Sequence, residues 1–227
     1  MAKGLDAMLS RKLDDTLAVA FRAMALVALH NRLIGEKREQ VRAALKADCD
    51  WLVAAQGAHG GWGEKSLKGG DGSCDFRNTD MALHALHEAG QVGIEVPQDV
   101  WRRAQKLYYE RQQPDGGWNF GDPGHQVMGG SAASYGSMTA AGLASIYLVS
   151  DHLGVGCPCL GGEAGKFYGD LSRHADAALA WLSREFKVDA DPGAPAAAQA
   201  DKLYWLYAAE RAARDTGYKH FGSHDWY

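Results

Sequence analysis

The stretch that decides the fold is Arg103-Ala104, Tyr108, then Gln112-Gln113-Pro114-Asp115-Gly116-Gly117-Trp118. Its first half carries charged and apolar residues at helical spacing, and its second half is a Pro-Asp-Gly-Gly turn that no helix can hold. A helix therefore surfaces at Gln112, the chain reverses, and Trp118 folds back as an apolar plug whose N–H seeks a polar partner. The Gln112 amide both donates and accepts, which suits it to the orphan backbone groups of helix ends.

The same device stands earlier, at Leu52, Gln56, Gly60 and Trp62, with the same interval from Gln to Gly to Trp. Two copies in one register make an internal repeat. On these residues the chain resembles the terpenoid cyclase and protein prenyltransferase superfamily, whose QW repeat runs basic residue, Gly or Ala, spacer, aromatic or Leu, Gln, Gly, Trp. Arg103, Ala104, Tyr108, Gln112, Gly116 and Trp118 match that pattern throughout; Lys46, Ala47, Leu52, Gln56, Gly60 and Trp62 match it with one extra spacer residue. The resemblance implies an all-α α/α toroid with alternating inner and outer helices. It makes Gln56, Gly60, Gln112 and Gly116 structural repeat residues.

The helical patterns agree with alternating layers. Segments 14–33, 79–89 and 134–153 are apolar on nearly all sides and belong inside. Segments 36–56, 98–112 and 170–186 are charged with one apolar stripe, and a seventh helix spans 198–214. Asn78, Ser134 and Asp170 are the expected N-caps, and Pro97 suits a first turn. Long Gly-rich connections at 57–78, 113–133 and 154–169 are placed for function.

At 227 residues, 46% hydrophobic and 23% charged, the chain is a globular domain rather than a disordered one. A net charge of -4 with no basic patch gives no nucleic-acid footprint. No segment approaches the ~20 apolar residues of a membrane span, and no signal peptide is visible, so a cytoplasmic location is expected. Four cysteines at 49, 74, 157 and 159 read as reduced thiols, with Cys157-Pro158-Cys159 the one pair placed for a metal or redox role.

A single toroid-type domain over 1–227 is expected. Its seven helices make about three and a half pairs where the resembling family has six, so a fragment, or a partial toroid completed by a missing C-terminal half or a homo-oligomer, is expected. The C-terminal part resembles bacterial toroid-repeat proteins through Leu203-Tyr204-Trp205-Leu206-Tyr207, Glu210-Arg211 and His224-Asp225-Trp226-Tyr227.

For chemistry, the resemblance implies either an Asp-x-Asp-Asp acid or a zinc site. Lys12-Leu13-Asp14-Asp15-Thr16 keeps two acids of the first motif but has Lys in the leading position, which favours the ionised state of Asp14 rather than a strong acid. The prenyltransferase Asp-x-Cys pair is approached by Asp71 and Cys74, with one residue too many between them. Asp80, His84 and His87 share a helical face at metal-ligand spacing, although His84 to Glu88 is no metallopeptidase motif. Asp71, Cys74, Asp80 and His84 are thus the metal candidates, zinc or magnesium being the implied ion, with none assigned from the residues alone. The thioester motif Cys-Gly-Glu-Gln of another toroid group is absent from the sequence.

Asp75, Arg77 and Asp80 are the catalytic candidates. Trp62, Trp118, Phe120, Tyr135, Tyr204 and Trp205 are candidates for the wall of a pocket, with repeat packing favoured for Trp62 and Trp118. Two functions follow: a prenyltransferase or cyclase-like protein taking an apolar, isoprenoid-like small molecule or a peptide in a central cavity, or a non-catalytic binding or assembly scaffold without the acid motif and zinc ligands.

Overall fold

In the computed structural model the described residues are 2–70, 72–121, 133–154, 162–196 and 198–227. Asp71, Cys157 and Cys159 lie outside them. The described residues form eight α-helices: α1 Ala2–Ser10, α2 Thr16–His30, α3 Gly35–Ala55, α4 Phe76–Gln91, α5 Gln98–Arg111, α6 Gly136–His152, α7 Gly162–Glu185 and α8 Lys202–Thr216. A two-stranded antiparallel hairpin, β1 His220–Phe221 with β2 His224–Asp225, follows α8. The chain divides into two compact units, Met1–Val100 and Trp101–Tyr227.

In the first unit, α2 packs against both α3 and α4. Every residue of α4 from Asn78 to Leu86 is buried, as its density of Met and Ala predicts. α3 is one-sided: Val41, Leu45 and Leu52 are buried, and of its charged residues Asp48 alone is buried with them. α2 departs from the all-round burial expected of it, because Phe21 is 56% exposed. Arg22 of α2 forks onto both carboxylate oxygens of Asp48 in α3, at 2.8 and 2.5 Å, and donates to the Met8 carbonyl, tying the end of α1 to the layer.

In the second unit, α6 packs on α7 and α8, and is buried from Gly136 to Ile146. α5 and α7 turn Ala104, Leu107 and Tyr108, and Leu171, Ala175 and Leu182, into the interior. The hairpin docks on the end of α7: Phe221 is fully buried against Phe186, and Gly222 N–H donates to Ser183 Oγ.

The two Gln-to-Trp stretches are built alike, bond for bond. Gln56 Nε2 donates to Gly60 O and Val100 O at 2.9 and 3.0 Å; Gln112 Nε2 donates to Gly116 O and His174 O, both at 2.8 Å. The Trp62 indole N–H donates to Leu52 O at 2.7 Å, and that of Trp118 to Tyr108 O at 3.0 Å. Gly60 and Gly116 have φ of 98° and 94°, a left-handed conformation that leaves glycine as the fitting residue. The backbone N–H of each Trp meets a threonine hydroxyl, Thr79 or Thr139, and each hydroxyl donates onward to the carbonyl four residues before it.

Helix starts differ from the expectation. α4 is capped by Asp75, whose carboxylate accepts from Asn78 N–H, so Asn78 lies inside the helix. α6 begins after Tyr135, which offers no side-chain cap; Asp191 reaches across from the loop after α7 and accepts from Ser137 N–H at 2.8 Å. Ser134 instead donates to Asp115. α7 starts at Gly162, about two turns before Asp170. In each of the first two cases a carboxylate, a stronger acceptor than a neutral amide or hydroxyl, takes the capping role.

Two predictions follow from these bonds. Gln56→Ala removes two buried hydrogen bonds and takes the side-chain donor from the Gly60 carbonyl, and is expected to cost about 2–3 kcal/mol, read as a lowered urea midpoint. Burial raises the Asp191 pKa to about 6. The folded state therefore holds a proton that the unfolded chain has lost, so this group's stabilisation is present below about pH 4 and falls as pH rises through the folded value. Asp191→Asn keeps the acceptor and removes the ionisation. It should raise stability at neutral pH by on the order of 2–3 kcal/mol and flatten the melting temperature across the interval.

Candidate functional site

The densest polar feature in the first unit lies on α4. Arg77, Asp80, His84 and Glu88 recur at three- and four-residue spacing and so share one helical face. Asp80 and His84 are 2% and 1% exposed, and His84 Nε2 lies 3.1 Å from Asp80 Oδ1. Helix α4 positions them rigidly, since its opposite faces are packed through Met81, Leu83 and Leu86.

At the head of this helix, burial raises the Asp75 pKa, opposed by hydrogen bonds from the Asn78 backbone and amide and by the neighbouring Arg77. Both Asp75 oxygens are engaged by Asn78, at 2.8 Å from its N–H and 2.7 Å from Nδ2. Asp75 is therefore first a cap, and Arg77, expected within the Gly-rich connection over 57–78, is helical. Asp80 stands one turn further in, beside His84.

Of the metal candidates, Cys74, Asp80 and His84 lie among the described residues. Among the described residues no group of three or more His, Cys, Asp and Glu side chains is placed to hold an ion. Cys74 carries a buried thiol, as does Cys49, whose pKa burial pushes up to about 12. Of the Asp14-Asp15 stretch, Asp15 caps α2 by accepting from Ala18 N–H, and Asp14 pairs with Lys65 at 3.1 Å on the surface.

The aromatic candidates separate into two groups. Trp62, Trp118 and Trp205 are 0% exposed, and each indole N–H is committed to a backbone carbonyl, that of Trp205 to Lys187 O at 2.8 Å. Trp118 also lies so close to Gly142 that a Cβ there would meet its ring at 2.5 Å. These three indoles pack the layers. Tyr135 is buried at the start of α6, while Phe120 and Tyr204 are half-buried, with the Tyr204 ring 6.4 Å from that of Tyr207.

Sequence reading passed over several residues that the structure makes important: Thr79 and Thr139, Asp191, and the Arg22–Asp48 pair. The threonines stand at different intervals from their tryptophans because the intervening loops differ in length, so no fixed spacing reveals them.

With this geometry established, comparison with known proteins gives the fold. No family model matches the chain, and no curated protein matches it. Among solved structures it is similar to an ent-copalyl diphosphate synthase from Streptomyces platensis, with a TM-score of 0.59 and 18% identity. The match covers 91% of this chain and 34% of that one, so the chain spans about a third of the length of that structure. The fold is all-α and terpenoid-cyclase-like. Among the described residues, no helix is long and apolar enough to cross a membrane.

A buried pair retained for function rather than stability has a recognisable energetic signature. Asp80→Asn or His84→Ala alone is expected to cost about 3–5 kcal/mol, whereas replacing both with leucine should come near neutral. Thermal or urea unfolding of the three variants measures this; a double variant as damaged as the singles would assign the pair to the core.

Proposed function

We propose that this chain is part of a protein that takes an apolar, isoprenoid-like ligand, and that the polar face of α4 is where the ligand is met. The buried Asp80–His84 pair carries the reading. Two ionisable groups in a helix of small and aliphatic residues are costly to desolvate, and packing alone is better served by apolar side chains.

The pair brings an imidazole and a carboxylate, the side chains most used in acid–base chemistry, within 3.1 Å of each other away from water. The ligand class is supported by the likeness to ent-copalyl diphosphate synthase, at the level of fold. A second reading, a binding scaffold without cyclase chemistry, is supported by the engagement of Asp14 and Asp15 in an ion pair and a cap.

Equilibrium dialysis of the purified chain with farnesyl and geranylgeranyl diphosphate, with and without magnesium, tests the first reading. Saturable binding that weakens by about tenfold or more in a folded Asp80→Asn variant is expected. Absence of saturable binding to either compound rejects the ligand class, and binding indifferent to Asp80→Asn moves the site off α4. Product analysis of the same incubations separates a catalyst from a scaffold.

A further inference from the structure

In the second unit, the last turn of α8 and the hairpin that follows it enclose an open groove of about 450 Å³. Its volume lies within the range of small-molecule sites, about 300–1,000 Å³. The walls are aromatic: Tyr218, Trp226 and Tyr227, with Gly217 and Ala213 below them. Gly217 ends α8 in a left-handed conformation, φ 76°, which turns the chain sharply enough to bring Tyr218 and Trp226 back over the helix end.

The aromatic corner is held in place. The Trp226 indole N–H donates to Tyr218 O at 3.0 Å, and the Tyr227 ring stands perpendicular to the Trp226 ring with centroids 5.9 Å apart. A flat ring entering the groove therefore meets one face to stack on and one edge to abut.

Two cations border it. Lys219 pairs with Asp225 at 3.2 Å between side chains 71% and 44% exposed, a contact worth little in water, and Asp225 is held as a carboxylate by the Tyr227 N–H and by Lys219. Arg214 is likewise paired with Glu210 at 3.5 Å, between side chains 69% and 48% exposed, a contact worth as little. Its guanidinium thus remains available at the rim for a bidentate bond to an acid, next to aromatic surface on which guanidinium and ring ligands both pack well.

We infer that this groove binds a small aromatic anion, its ring stacked against Trp226 and its acidic group on Arg214.

The probe is anilinonaphthalene sulfonate, an aromatic anion whose fluorescence rises on transfer from water, with neutral N-phenylnaphthylamine as its uncharged counterpart. Titration of the full chain should show one saturable site with energy transfer from tryptophan, and tighter binding of the sulfonate than of the neutral dye. Arg214→Gln, at an exposed position that leaves the fold intact, should weaken the sulfonate by about fivefold or more and leave the neutral dye unchanged. Trp226→Leu should remove both the stacking surface and most of the energy transfer, with circular dichroism confirming the helices. Equal affinity of wild type and Arg214→Gln for the sulfonate, or an absence of saturable binding by wild type, overturns the proposal.

Discussion

Much of this structure hangs on what two glutamine amides do at the ends of two helices. An α-helix that stops leaves its last carbonyls unpaired, and a buried orphan carbonyl is costly. Gln56 and Gln112 each stand just past a helix end and lend one amide N–H₂ to two carbonyls, one in the following turn and one in a later amphipathic helix. The turn must then reverse tightly enough to return its carbonyl to the amide, which fixes glycine at 60 and 116. The reversal in turn seats the tryptophan beside the helix it has just left, where its indole N–H takes up another carbonyl. Polar satisfaction and apolar plugging are thus one event, repeated in both units.

The copies differ where their neighbours differ. Gln112 Oε1 meets His174 Nδ1 at 2.5 Å, and the imidazole stacks on Tyr109, whereas the matching position in the first unit is Val100, which offers Gln56 Oε1 no such donor. A third closure, after α7, is irregular: Gln199 Nε2 donates to Asp191 O and Ala194 O, and Trp205 reaches Lys187 O. There the chain also spends a carboxylate, Asp191, on the start of α6, at the expense of burying a charge. The hydrogen-bond logic persists although the residue spacing has drifted.

Against this economy the α4 stripe stands out. Several buried polar groups complete the scaffold: Thr79 and Thr139 receive tryptophan N–H groups, Asp48 receives Arg22, Ser150 bonds back within its own helix. Asp80 and His84 lie one turn apart on α4, 3.1 Å from each other and almost wholly buried. The cost of desolvating two ionisable groups side by side is the reason to look for function there, whereas the buried tryptophans are explained by packing and by their bonds to backbone carbonyls.

The periodicities of the chain already separated buried from amphipathic helices, and the duplicated Gln, Gly and Trp spacing already required two like turns, because both properties are local and recur at fixed intervals. Ends of helices were less legible. Asp75 and Asn78 both suit a cap, and only the folded loop decides between them; the α7 start at Gly162 and helix α1 have weak local signals. The Asp80–His84 contact followed from helical spacing, but its complete burial did not, since one helix cannot know what covers it. Bonds such as Ser137 to Asp191 and Arg22 to Asp48 join residues far apart in the chain and carry no spacing at all. By itself, then, the sequence determined the helices, their layers and the turns that close them, through short-range pattern and backbone hydrogen bonding. Only the tertiary structure decided which carboxylates cap, which indoles are sealed in and which polar pair is buried, because burial and long-range pairing are set by which surfaces meet.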